Sequence, residues 1–279
     1  MLTARLAAAS ALILLLAPAA AQKPKQGQYR DVELCNGAAS PDTRIEACSA
    51  FIQANLGGPA SLAVAYNNRG VAYAEKSDYD RAVADFESAM AVDPGSVKPV
   101  NNRGAARLRK GEYDAAIGDF DRVVDREPTY AKAFANRAEA LLKKGERARA
   151  EADYLAAVRL NDDLEGAWSG LCWIRASAPD PDRAAAALEA CDKAISSGSH
   201  TAATYDSRAL AHLKAGHFDA ALADYDAALR IDPHLATALY GRGLTKIRRG
   251  DVTGGEADLA AAKGTKADIA DELTGYGLR

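Results

Sequence analysis

The residues best suited to chemistry in this chain recur in register. Arg69, Arg103 and Arg137 stand 34 residues apart, and Arg208 and Arg242 repeat the interval further on. Each is followed sixteen residues later by an acid: Asp85, Asp119, Asp153, Asp224 and Asp258. Two chemistries fit a row of guanidinium forks. They pair with those carboxylates and tie helix to helix, within a unit or to its neighbour, or they reach into a groove and hold an acidic peptide. A buried charge comes with its counter-charge, which favours the pairing. The expected fourth member is missing on both sides at once, with Leu171 in the arginine column and Ala190 in the acid column.

The other reactive side chains are few. Four cysteines, Cys35, Cys48, Cys172 and Cys191, allow three disulfide connectivities. No Cys-x-x-Cys spacing occurs, which speaks against zinc. His200, His212, His217 and His234 cluster along the chain, but their spacing matches neither a zincin pair nor a zinc finger, so no metal is expected. His212 falls in a column filled elsewhere by Tyr73, Arg107 and Leu141. No nucleophile elbow, P-loop or dinucleotide fingerprint is present, and Gly254-Gly255 reads as a thinned helix. The sequence therefore points to no cofactor and no enzyme. A net charge of −3 gives no field that attracts nucleic acid.

The elements that carry these residues are helical hairpins. Asn67-Asn68-Arg69-Gly70 returns as Asn101-Asn102-Arg103-Gly104 and as Ala135-Asn136-Arg137-Ala138. A second motif, Tyr79 to Phe86, returns as Tyr113 to Phe120 and Phe218 to Tyr225. Apolar residues fall at helical spacing in both segments, Gly111, Gly145, Gly216 and Gly250 mark the turn between them, and Asp93-Pro94, Glu127-Pro128 and Asp232-Pro233 close three units. One such hairpin cannot bury its apolar face alone, whereas a stack of six can. Residues 1–21 are of another kind. Arg5 precedes an apolar run from Leu6 to Ala17, then Pro18 and a small-residue box Ala19-Ala20-Ala21, the layout of a cleavable secretory signal peptide. The mature chain is expected to be exported, periplasmic or secreted, without a membrane span.

A 34-residue period with these signatures resembles the tetratricopeptide repeat family, over roughly residues 63 to 264. The carrying residues are small ones at the helix crossing (Gly70, Gly104, Ala82, Ala116, Ala89) and large ones around them (Tyr66, Tyr73, Phe86, Phe120, Tyr225). The resemblance implies an all-α, right-handed superhelical solenoid with units at 63–96, 97–130, 131–164, 165–201, 202–235 and 236–264. A degenerate Cys-containing hairpin is expected over 22–62, and a polar capping helix over 265–279.

The family's groove-lining positions fall here on Asn67, Val71, Asn101, Ala105, Ala135 and Glu139, then on Ser169, Trp173, Asp206, Leu210, Tyr240 and Leu244. The N-terminal half of the groove is expected to be small and polar, and the C-terminal half apolar, with Trp173, Leu210, Tyr240 and Leu244 within reach of one another. Trp and Tyr are common interface anchors. In the fourth unit Cys172 takes the small crossing position and Cys191 the large one opposite. This alignment favours the pairs Cys35–Cys48 and Cys172–Cys191, each joining the two helices of one hairpin. The implied function is non-catalytic: an envelope adaptor that binds a protein or peptide in the groove, or a self-associating scaffold, or an accessory subunit of an envelope enzyme or export machine.

Overall fold

The computed structural model describes residues 32–55 and 57–278, so the signal-peptide expectation lies outside the described residues. A helical turn over 32–36 and α1 (Pro41–Gln53) come first. Six hairpins follow. They are α2 (Pro59–Glu75) with α3 (Tyr79–Val92), α4 (Lys98–Lys110) with α5 (Tyr113–Arg126), and α6 (Ala131–Lys143) with α7 (Arg147–Leu160). The second three are α8 (Glu165–Ala176) with α9 (Ala184–Ser196), α10 (Ala202–Lys214) with α11 (Phe218–Ile231), and α12 (Ala236–Arg248) with α13 (Val252–Thr265). The short helix α14 (Ile269–Gly275) closes the described chain. Each helix packs on the next, and first helices of successive units also touch, so the core runs the length of a stack.

Close helix approach is set by small residues facing aromatics. Phe86 and Phe120 are buried against Gly70 and Gly104, where an added Cβ would come within 2.7 Å of the ring. Two second helices carry Tyr154 and Tyr225 instead, and those longer side chains lie on Gly170 and Gly241 of the next unit, leaving no room there for a Cβ. In the fourth unit the same crossing is covalent. Cys172 and Cys191 form a disulfide with Cα atoms 4.7 Å apart, and Cys35 and Cys48 form another at 4.8 Å. A bridge closing a loop of this length stabilises by roughly 3 kcal/mol in the loop-entropy account.

The fourth unit also differs in its turn, where Ala178 to Asp180 lead into a 3₁₀ turn, Pro181–Arg183. The five other hairpins share one turn geometry. A residue one or two positions after the first helix takes a left-handed conformation, and its N–H and the next N–H bond back to the helix's last carbonyls, as in Gly111 to Leu108 and Glu112 to Arg107. Gly111, Gly145, Gly216 and Gly250 hold this position at φ between 76° and 95°, but the first unit places Ser77 there at φ 61°. A side chain in this region costs about 1–2 kcal/mol, and glycine's added chain entropy offsets about half of that. Ser77→Gly should therefore stabilise the protein by about 0.5–1 kcal/mol, read as a rise in thermal midpoint, whereas Gly111→Ser should lower it.

Candidate functional site: the concave groove

The repeated arginines sit in the seams between helices. Arg69 Nε and Nη2 donate to Asp85 Oδ2 and Oδ1 at 2.8 and 2.7 Å. The same two-pronged contact joins Arg103 to Asp119, Arg137 to Asp153, Arg208 to Asp224 and Arg242 to Asp258, all within 3.0 Å. The remaining Nη1 turns the other way, to the second helix of the preceding unit. It donates to Glu87 from Arg103, Asp121 from Arg137, Asp192 from Arg208 and Asp226 from Arg242, at 2.7–3.0 Å. Arg69 has Ser49 Oγ in that role at 3.0 Å. One guanidinium thus binds its own hairpin and its neighbour together.

This second acid column went unread in the sequence, although its signal was present: an acid two residues after the ladder-aspartate position wherever the next unit has its arginine. Leu155 stands there ahead of Leu171, and both lie in one apolar cluster. Ala260 stands there in the last unit. The ladder aspartates are buried, and hydrogen bonding to them raises the pKa of Arg137, Arg208 and Arg242 well above the ordinary range. Burial opposes ionisation of Asp258, but the donors from Arg242 and Lys246 outweigh it and hold its pKa down. With both ends of each fork taken, the arginines have no free donor pair to offer an acidic peptide.

The groove positions on the first helices divide into three zones. At the N-terminal end a cavity of about 460 Å³ is walled by Val32, Phe51, Ala60, Val64 and Ala65, so this end is apolar rather than small and polar. Val64 is half exposed there. A second hollow of about 310 Å³ follows, between Val71, Ala74 and Tyr79 of the first unit and Asn102, Ala105 and Arg109 of the second.

Beside these hollows the asparagines form a ladder of side-chain amides. Asn68 Nδ2 donates to Asn36 Oδ1 at 2.9 Å, Asn102 to Asn67 at 2.9 Å and Asn136 to Asn101 at 3.2 Å. Asn101 is consequently buried and its carbonyl engaged, so it does not stand open in the groove.

The third zone spans units four to six and is already filled. Ile269, Leu273 and Leu278 are buried in one cluster with Leu210 and Leu239, and half-buried Tyr240 and Leu244 pack against it. Trp173 meets Tyr276 edge to face, with ring centroids 6.4 Å apart, while Arg147 lies over the Trp173 ring at 4.7 Å. The C-terminal segment packs on both helices of the last unit and also reaches along the first helices to Trp173 and Leu210. Its apolar residues recur four apart and find the wider apolar surface there. Trp173 and Leu210 do line one cavity, together with Asp206. Tyr240 and Leu244 are joined to that zone through the segment's cluster.

Asp206 accepts from Thr237 Oγ1 at 2.6 Å, and burial pushes its pKa up to about 7. The histidines do not converge on a site. His212 and His217 have Nδ1 atoms 3.5 Å apart, and His200 pairs with Tyr205. No group of three metal-capable side chains gathers among the described residues. None of the helices described is long and apolar enough to cross a membrane.

These features define an all-α solenoid of helical hairpins with a grooved inner face. The tetratricopeptide repeat family matches residues 63–96, 101–165 and 207–271, together more than half of the chain, and the protein belongs to it. Solved structures share the fold. A tetratricopeptide repeat protein from Parabacteroides merdae is 17% identical, with 90% of this chain and 96% of that one covered and a TM-score of 0.58. PilF of Pseudomonas aeruginosa is 16% identical over 80% and 94%, with a TM-score of 0.61. YrrB, described as having an unusual peptide-binding site, is 18% identical over 69% and 98%, at 0.56. No curated protein is similar enough in sequence to match the chain.

The geometry makes two predictions. Arg69 and Asp85 give the simplest ladder test, because the third donor goes to neutral Ser49. Asp85→Ala should cost about 3 kcal/mol by stranding a mostly buried arginine, and a double-mutant cycle with Arg69→Ala should show coupling of at least about 1 kcal/mol. Additive losses would mean the arginine acts elsewhere. For Asp206 the raised pKa means the folded state holds its proton longer than the unfolded chain, so this group lowers stability as pH rises from about 4 to 7. Asp206→Asn should remove that slope, raising the thermal midpoint at pH 8 with little change at pH 4.

Proposed function

We propose that this protein is an exported, non-catalytic adaptor of the cell envelope that docks a protein segment in the N-terminal half of its concave groove. The observation that carries the reading is a pair of hollows, one between the N-terminal hairpin and unit one and one between units one and two, with apolar walls and an asparagine at the edge of each, in which no described residue beyond the lining is seated. Concave pockets with apolar walls and a few fixed polar groups are the usual form of a docking site. The family is built of hairpins that present such a surface, and the peptide-binding description of YrrB agrees with it.

Export rests on the signal-peptide pattern of residues 1–21, and it is supported by two disulfides, which persist in oxidising compartments. A photo-reactive residue at Val71, inside the second hollow, should give one heavy cross-linked species in intact cells. The same probe at Arg122, exposed on a second helix, should not. Equal products from both positions, or none from Val71, would overturn the groove reading. A product of twice the chain mass would replace the adaptor with a self-associating scaffold.

A further inference from the structure

The helix α14 begins about one repeat length after α12, where a seventh unit's first helix would start, but no second helix follows it among the described residues. It packs on α12 and α13, and the residues after it reach unit four, Tyr276 at Trp173 and Gly277 at Pro179. Ile269 and Leu273, one helical turn apart, are buried in the groove floor, and Leu278 is buried beyond them. Tyr276 sits edge-on to Trp173. Gly277 adopts φ 87° against the backbone of Pro179, where a Cβ would come within 2.5 Å of the Pro179 carbonyl oxygen. The long proline turn of unit four is therefore a seat shaped for this segment.

The seat is not close-packed. A cavity of about 210 Å³ remains between Trp173, Asp206, Leu210 and Tyr225 on one side and Glu272, Leu273 and Tyr276 on the other. Glu272 also brings a second carboxylate toward Asp206 and raises its pKa further, after the larger effect of burial. Lys266 and the Tyr276 hydroxyl both donate to Glu272, whereas Asp206 accepts from Thr237. A residual void and a like-charge approach weaken the contact relative to a sealed core.

We infer that units four to six form a second docking site, for a short amphipathic helix. The fitting segment carries apolar residues four apart, followed by an aromatic and a Gly-Leu pair, and residues 269–278 occupy the site as an intramolecular competitor. A partner segment of the same chemistry displaces them. The inference rests on the groove reading above and extends it to the half that the chain itself covers. Because the resident segment is tethered, its effective concentration is on the order of millimolar, so a free peptide competes poorly until the segment is loosened.

The test uses a fluorescently labelled synthetic peptide of residues 267–278, followed by anisotropy. A variant ending at Gly264 should keep its helical circular dichroism and bind the peptide at least about tenfold more tightly than the full chain does. Trp173→Ala in that variant should abolish binding. Should the shortened chain fail to fold, full-length Leu273→Ser Tyr276→Ala, which loosens the segment in place, should gain the same binding over the unmodified chain. A folded variant that fails to bind, or binding unaffected by Trp173→Ala, overturns the inference. Neither result touches the N-terminal site, which the Val71 cross-link reads separately.

Discussion

The stack depends on an arginine that serves two hairpins at once. A guanidinium taken from water needs its charge and its donors satisfied, and here two carboxylates from two different second helices do so. The contact fixes the rotation of each first helix against its own partner and against the preceding unit. Lysine could not reproduce it, because the fork supplies two parallel bonds in one direction and a third in another. The hydrophobic crossing of small residue on aromatic supplies the burial, and the fork selects one register for it.

Unit four shows what happens when the fork is absent. Leu171 and Leu155 replace the arginine and the acid that would have met it from the unit before, and a disulfide replaces the small-on-aromatic crossing. Apolar contact carries no register of its own, whereas the covalent bond does. Freed from the repeated turn, this unit carries a longer proline connection and exposes Trp173 toward the groove. The irregularities meet at one place, where Tyr276 and Gly277 are seated. The groove is consequently two surfaces: an N-terminal one that holds two hollows and a C-terminal one that residues 269–278 cover.

Much of this was legible in the residues. Period, turn glycines and closing prolines specify helices that can only be stable when stacked, and sixteen-residue spacing couples Arg69 to Asp85. The second acid column was equally present but hidden, because Glu87 and Asp121 look like ordinary solvated charges until the preceding helix is placed beside the next. Asn101 was read as a groove residue from its column, yet the ladder of amides between successive first helices draws it inward. The placement of residues 269–278 was not legible at all. Ile269, Leu273 and Leu278 are as suited to a terminal cap as to a groove, and only the three-dimensional position of Trp173 and Pro179 distinguishes the two.

Hydrogen exchange across residues 269–278 tests the divided groove most directly. In the structure the amides of Tyr276, Gly277 and Leu278 donate to carbonyls of α14, and a helix this short is stable only when packed. Exchange should be measurably slower than in an unstructured peptide of the same sequence, and Trp173→Ala should accelerate it without changing protection in α10 and α12. Exchange at the unstructured rate, or protection indifferent to the loss of Trp173, would contradict the account.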